Sequence, residues 1–430
     1  MKLANVALVV ALCAITVSSL GGCSESEPAP GENVETVRTA QQRDTSPTLS
    51  TAELDTLANG EASFAVDIFH AVGKAESGNV FLSPHSISIA LGMTYAGARG
   101  DTAAEMKKAL HLDLPEDRVH PGFNYLDLEL SRRGANATGK DGKPFRLTVS
   151  NSIWCQKGES FAVPFLDTLA VNYGAGINIV DFAKETEKSR VTINGWVEKK
   201  TENRIKDLLE QGKIDASTRA VLVNAVYFNA AWSKKFSASA TAQAAFHKID
   251  GSTIDVPTMH ASETFPYTKG DGYEAVALPY DGGELSMLVV VPTAGTYSTF
   301  ESTLTGGKML EVLASLQSRA VNLSFPKLKL EASFQLKEPL TDLGMKKAFT
   351  DADFSGMSTT MGLVIDDVVH KTFLSLDENG TEAAAATAVL AGEMSALVDI
   401  VNLNVDRPFI TAIVDNKTRT LVFFGRIMAP

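Results

Sequence analysis

In the first half of the chain, apolar positions recur with helical spacing. Phe64, Ala65, Ile68, Phe69 and Val72 fall on one face of a helix. Ser83-Pro84 predicts a second helix, with Ser83 as its N-cap, proline in its first turn, and a continuation through Ile87 and Leu91. Trp196, Val197, Ile205, Leu208 and Leu209 predict another. The pattern then changes. Residues 220–228 (AVLVNAVYF) are nearly continuous in apolar side chains, as expected of a strand covered on both faces. Residues 285–291, 321–330, 363–376 and 421–424 also read as strands. Helices first and strands later predict an α+β fold, without the regular alternation of a doubly wound one. There is no internal repeat and no second linker, so residues 51–430 read as one large domain.

The N-terminus follows different rules. Met1-Lys2 opens a short basic region, and an apolar run from Leu3 to Leu20 follows, so residues 1–22 read as a secretory signal. It ends in Leu20-Gly21-Gly22-Cys23, which resembles a bacterial lipobox, with Cys23 as the acylated mature N-terminus. Acyl chains contribute about 0.8 kcal/mol per buried CH₂, enough for stable anchoring. Residues 24–50 hold two valines, one leucine and no aromatic, so 23–50 read as a lipidated flexible tether. The expected location is the bacterial cell envelope, lipid-anchored at the outer membrane. An ordinary signal would leave the protein extracellular or periplasmic.

Composition narrows the chemistry. The 430 residues carry a net charge of −12, which argues against nucleic acid as a partner. Of three cysteines, Cys13 leaves with the signal and Cys23 carries lipid, leaving Cys155 as a free thiol and no disulfide framework. The seven histidines stand in unrelated contexts, none at metal-ligand spacing from another. There is no G-x-S-x-G, H-E-x-x-H or C-x-x-C, and Gly306-Gly307-Lys308 lacks the upstream glycine of a phosphate loop. Neither an enzyme nor a cofactor is expected.

One segment stands out. From Asp377 the chain reads DENGTEAAAATAVLAGEMSALVDIVNLN, and residues 381–391 are small or aliphatic with one charge, Glu382. An alanine-rich helix is one reading. If the segment were extended, however, Thr381, Ala383, Ala385, Thr387, Val389 and Ala391 would share one face. All are small or β-branched, so that face could enter a closed sheet without obstruction. Such a segment would be a switch.

Here the sequence resembles the serpin family, in its inhibitory form, and the match extends over residues 60–430. The hinge is Glu378-Asn379-Gly380-Thr381-Glu382-Ala383-Ala384-Ala385-Ala386-Thr387, preceded by Val368-Val369-His370-Lys371-Thr372-Phe373. Further blocks are Asn79-Val80-Phe81-Leu82-Ser83-Pro84-His85-Ser86, Leu222-Val223-Asn224-Ala225-Val226-Tyr227-Phe228 with Trp232, and Asp406-Arg407-Pro408-Phe409 followed by Phe424-Gly425-Arg426. The resemblance implies three β-sheets, about nine helices and an exposed reactive loop at about 378–402. It also implies a monomer that acts as a suicide substrate: a serine protease cuts the loop, whose N-terminal part then inserts into the main sheet and traps the acyl-enzyme.

The resemblance places roles on residues. Counting seventeen from Glu378 gives the reactive bond as Met394-Ser395, suited to a protease with an apolar primary pocket, elastase-like or chymotrypsin-like. Counting back from Pro408 would give Leu397, but the hinge count is preferred because the sheet fixes the insertion length. Ser83, Ser86, Asn224 and His370 match a polar cluster beneath the opening sheet, and Trp232 the aromatic where the loop enters. Arg118, Arg132, Arg133, Lys140 and Lys143 read as a solvated face, being interspersed with acidic residues. A non-inhibitory serpin that binds or builds, or an inhibitor of cysteine proteases, is the alternative. No charged, bulky or proline residue stands at an inward hinge position from Thr381 to Val389, which favours inhibition.

Overall fold

Ser50 starts the first long helix with a reciprocal cap: its hydroxyl accepts from the Glu53 amide, and the Glu53 carboxylate accepts from the Ser50 amide. The computed structural model describes residues 34–358, 363–381 and 400–430. A short strand, β1 (Glu35–Val37), precedes that helix, α1 (Thr51–Gly73). Then come β2 (Val80–Leu82), α2 (Pro84–Tyr95), α3 (Gly100–Ala109) and α4 (Glu116–Ser131). A mixed stretch follows, with β3 (Arg146–Gln156), α5 (Val163–Tyr173), β4 (Ile177–Val180) and α6 (Thr186–Lys200). Strands then dominate: β5 (Ala220–Ala231), β6 (Ala242–His247), β7 (Thr253–Gly270), β8 (Tyr273–Pro279) and β9 (Leu285–Pro292). Two helices, α7 (Tyr297–Ser302) and α8 (Gly306–Ser315), lead to β10 (Gln317–Pro326), β11 (Leu328–Gln335) and α9 (Lys337–Asp342). The chain closes with β12 (Asp367–Asp377), β13 (Gly380–Thr381), β14 (Val401–Asn404), β15 (Phe409–Asp415) and β16 (Leu421–Ile427).

The α+β architecture is as expected, with about nine helices among the described residues. Seven strands form the first sheet, in the order β1-β4-β3-β5-β13-β12-β11. The second runs β14-β10-β7-β8-β9-β15-β16-β2, with β6 on β7. Two of the three expected sheets are thus hydrogen-bonded into one. Its hinge is the long β7, which pairs with β6 and β10 along most of its length and with β8 over its last four residues. β5 shows why its sequence is apolar on both faces apart from Asn224 and Asn229. Val221, Val223 and Ala225 pack with Ile193 and Val197 of α6 on one face, while Val226, Phe228 and Ala230 join the core under the second sheet.

Three expectations change. The stretch 321–330 is two strands, because Pro326 ends β10 and cannot donate to a ladder. The helix read through Leu209 stops at Lys200, where Glu202 and Asn203 take left-handed φ of 49° and 61°. Ile205, Leu208 and Leu209 are still buried, but on turns, with both backbone groups of Leu209 held by the Asn194 side chain. Finally, residues 34–50 do not form a free tether. β1 pairs antiparallel with β4 at the sheet edge, and Arg43 bonds Asn124 and Asp127 of α4 at 2.9 and 2.6 Å. Arg118 and Arg132 hold the Thr48 and Thr45 carbonyls.

Deleting residues 34–43 would bare the β4 edge and remove the Arg43 partner of Asp127 and of the Asn124 oxygen. The expected loss is about 1–3 kcal/mol, read as a lower urea midpoint.

Candidate functional site

β5 and β12 lie side by side in parallel, in register from Val221↔Asp367 to Val226↔Thr372. Above that point the two strands part. The chain leaving β12 turns back through Glu378 and Asn379, and Gly380–Thr381 lie between them, antiparallel to both. Only glycine fits position 380. Its φ is 142°, and an added Cβ would stand 2.2 Å from the Ala230 carbonyl oxygen. Thr381 is fully buried, its hydroxyl 2.8 Å from that of Tyr280. Trp232 stacks on Tyr280 with centroids 4.7 Å apart, donates from Nε1 to the Asp377 carbonyl and from its backbone to Asn379. Glu378 is paired with Lys327 at 2.7 Å and accepts from the Thr241 hydroxyl at 2.6 Å. Burial works against the charge of Glu378, but these partners outweigh it and hold the carboxyl below its usual range.

Lower down, the structure brings Ser83, Ser86, Asn224 and His370 together. Asn224 and His370 are register partners across the seam. The Ser83 amide donates to His370 Nε2 at 2.9 Å, so Nδ1 carries the proton and donates to Asn224 Oδ1. The Asn224 amide donates to Ser86 Oγ and Asn151 Oδ1, both at 2.5 Å. The Ser83 hydroxyl goes to the Val422 carbonyl rather than capping α2, although the helix begins where expected. Two members escaped the sequence reading. Asn151 of β3 closes the cluster, a lone amide beside Ile153 and Trp154. Thr372 donates to the Phe81 carbonyl at 2.7 Å, and its spacing of two from His370 was the available signal.

The basic residues read as a solvated face are mostly paired. Arg133 is nearly buried between Asp415 and Glu129. Lys140 is buried too. Its backbone amide binds the Asn229 side chain of β5, while its ammonium reaches Asp377 at 3.0 Å and the Ser375 carbonyl of β12. It therefore ties the two parted strands together just beneath β13. Glu382, Ala383, Ala384, Ala385, Ala386, Thr387, Met394, Ser395 and Cys23 lie outside the described residues.

A family model described as Serpin (serine protease inhibitor) matches residues 59–430. The chain belongs to the serpin family. An uncharacterised serpin-like protein of Thermococcus kodakarensis is 39% identical, over 98% of each chain. The leukocyte elastase inhibitor of Bos taurus is 38% identical over 88% of this chain and 100% of its own. Among solved structures, the native state of the thermophilic serpin tengpin aligns with a TM-score of 0.80 at 28% identity, over 92% of this chain and 100% of that one. Serpins as a family inhibit proteases and are not themselves catalysts.

Two predictions arise from the buried polar groups of this serpin, the seam's His370 and Lys140 and, outside the seam, His120 of α4, which bonds the Tyr173 hydroxyl. Burial pushes His370 down to about 3 and His120 down to about 4, from an ordinary value of 6.5. Depressed histidines mean that the unfolded chain binds more protons, so their stabilisation is present above pH 6.5 and fades as pH falls towards the folded values. Between pH 6.5 and 4.5 the urea-unfolding free energy should drop with a slope approaching two protons, about 2.7 kcal/mol per pH unit. His120→Gln should halve it. His111, raised by its Asp67 partner, acts only above this window. Separately, Lys140→Met should leave Asp377 unpaired and cost about 1–3 kcal/mol, with heat-induced oligomers forming earlier on native gels.

Proposed function

We propose that this serpin is a suicide-substrate inhibitor of serine proteases that traps the acyl-enzyme by loop insertion. One observation carries the reading: Gly380–Thr381 already form the start of a strand between β5 and β12. Continuing that strand downward would replace one parallel seam with two antiparallel ladders. A gain of about ten net ladder bonds at about 1 kcal/mol each is on the order of 10 kcal/mol. That free energy is released only when the loop is cut, so the native state acts as a kinetic trap.

The positions after Thr381 suit such a strand, since Ala383, Ala385, Thr387 and Val389 are small or β-branched. The hinge count makes Met394-Ser395 the reactive bond. An unbranched apolar residue there fits a target with an apolar primary pocket, and the similarity to leukocyte elastase inhibitors supports an elastase-like or chymotrypsin-like one. The signal and lipobox support a protein exported from a bacterium and held at the envelope through Cys23, where it meets proteases outside the cytoplasm, and the family resemblance is what points to a monomer.

The test is incubation with a panel of serine and cysteine proteases, followed by denaturing electrophoresis and mass spectrometry. A denaturant-resistant complex and release of residues 395–430 are expected with an elastase-like or chymotrypsin-like enzyme. Thr381→Arg, which forces a charge into a fully buried site, should convert the inhibitor into a substrate that is cut without complex. Cleavage of the unaltered chain with no complex for any protease would favour the non-inhibitory reading. A complex with cysteine proteases alone would shift the target class.

A further inference from the structure

The register of the first sheet fixes where the N-terminal segment leaves the domain. β5 climbs from Ala220 to Ala231, and Ala230 and Ala231 pair with the start of the reactive loop. That end is the upper pole. β3 is antiparallel to β5, with Cys155 opposite Ala220, so β3 ends at the lower pole. β4 runs parallel to β3, placing Val180 beside Gln156, also low. β1 is antiparallel to β4, with Glu35 opposite Ile179 and Val37 opposite Ile177. The chain therefore enters β1 from below and climbs, reaching α5 where the Asp44 amide bonds the Val171 carbonyl. Eleven residue steps of β5, about 36 Å at 3.3 Å each, separate the level of Ala220 from that of Ala231.

From this geometry, and resting on the inhibitor and anchor reading above, we infer that the N-terminal segment is a short leash fixed to the lower pole. It holds the domain on a lipid bilayer with the reactive loop facing outward. Because 34–50 are docked, only eleven residue steps separate Cys23 from Val34, a span of at most about 40 Å. Residues 24–33 carry Glu25, Glu27 and Glu32 and no basic residue, and the whole chain has a charge of −12. An anionic bilayer surface therefore repels the domain instead of drawing it flat. Loop insertion down the seam carries the cut end from the upper pole to the lower one. The trapped protease is thereby delivered from the outward side of the domain to its membrane side.

The test uses the mature chain beginning at Cys23, coupled through that thiol to vesicles of phosphatidylcholine and phosphatidylglycerol containing a maleimide lipid. Cys155 does not compete, since it is fully buried and burial pushes its thiol well up. The rate of loop cleavage by an added protease should match that of the free protein within about twofold, because the loop faces away from the bilayer; tenfold shielding would overturn the orientation. Energy transfer from a donor-labelled protease to acceptor lipids is then compared for the covalent complex and for the reversible encounter with a nucleophile-less protease. The covalent complex should show at least about twofold more transfer, given the ~36 Å between poles. Equal or lower transfer would overturn the delivery. Inserting about twenty Gly and Ser residues after Asn33 should abolish the difference. Absence of covalent complex in solution would sink the inhibitor reading instead, while the cleavage rate still decides the orientation. Absence of acyl chains on Cys23 of the exported protein, read by mass spectrometry, would overturn the natural anchor.

Discussion

The parallel seam between β5 and β12 is the constraint on which the remaining structure depends. Two strands that are distant in sequence pair directly in the middle of a seven-stranded sheet, yet part at the top around two residues of a third. Strands in a ladder sit about 4.8 Å apart. A strand placed between them would double that spacing and break every contact that crosses the seam. The Nδ1–Oδ1 bond between His370 and Asn224 crosses it directly, so it acts as a measure of whether the sheet is closed. The same pair reaches α2 through Ser83 and Ser86, and β3 through Asn151. Sheet closure is thereby tied to the helix packed beneath it.

The upper end is held by different chemistry. Glu378 with Lys327, Lys140 with Asp377, and the Trp232 indole with the Asp377 carbonyl all clasp the turn that reverses the chain into β13. The two ion pairs are charge-assisted, that of Glu378 with Lys327 partly exposed and that of Asp377 with a buried Lys140 ammonium, while the indole bond to the carbonyl is neutral. Below them the bonds are neutral, and those joining Ser83, Ser86, Asn224 and His370 are fully buried. A chain that has to hold its loop at the mouth of the seam and still release it gains from that order. The outer clasp positions the turn, and the inner network resists opening until a larger free-energy source appears.

Much of this was legible in the sequence, and the parts that were not share a cause. The nearly continuous apolar run of β5 and the proline that opens α2 are local patterns, and both elements stand where they were read. The start of the hinge, Gly380–Thr381, lies between β5 and β12, and the alternation of small side chains expected beyond it falls outside the described residues. Lys140 could not be read, because a lysine among charged neighbours looks solvated until β12 closes over it. Asn151 and the Ser83 hydroxyl were missed or misassigned because their partners, Asn224 and Val422, lie far along the chain. The strand at Glu35–Val37 was hidden by composition: three residues with one valine cannot declare a strand, and it exists only because β4 offers an open edge. The apolar residues 205–209 keep helical spacing but are buried by turns, since Asn194 supplies the backbone bonds a helix would have made.

Why the seam is closed by polar groups follows from the same constraint. An interface of aliphatic side chains would gain its full burial energy in the closed sheet and lose it on opening, with nothing recovered midway. Hydrogen-bonding groups differ, because an incoming strand brings its own backbone donors and acceptors. Asn224 carries two donors and an acceptor, Ser86 both kinds, and His370 one of each, so all can re-pair around a new neighbour. The penalty for leaving them unpaired is concentrated in the moment of opening, when the strands have parted and the insert has not arrived. That raises the barrier without lowering the closed state to match. A metastable fold needs that asymmetry, and a neutral, buried His370 supplies it only while it stays unprotonated.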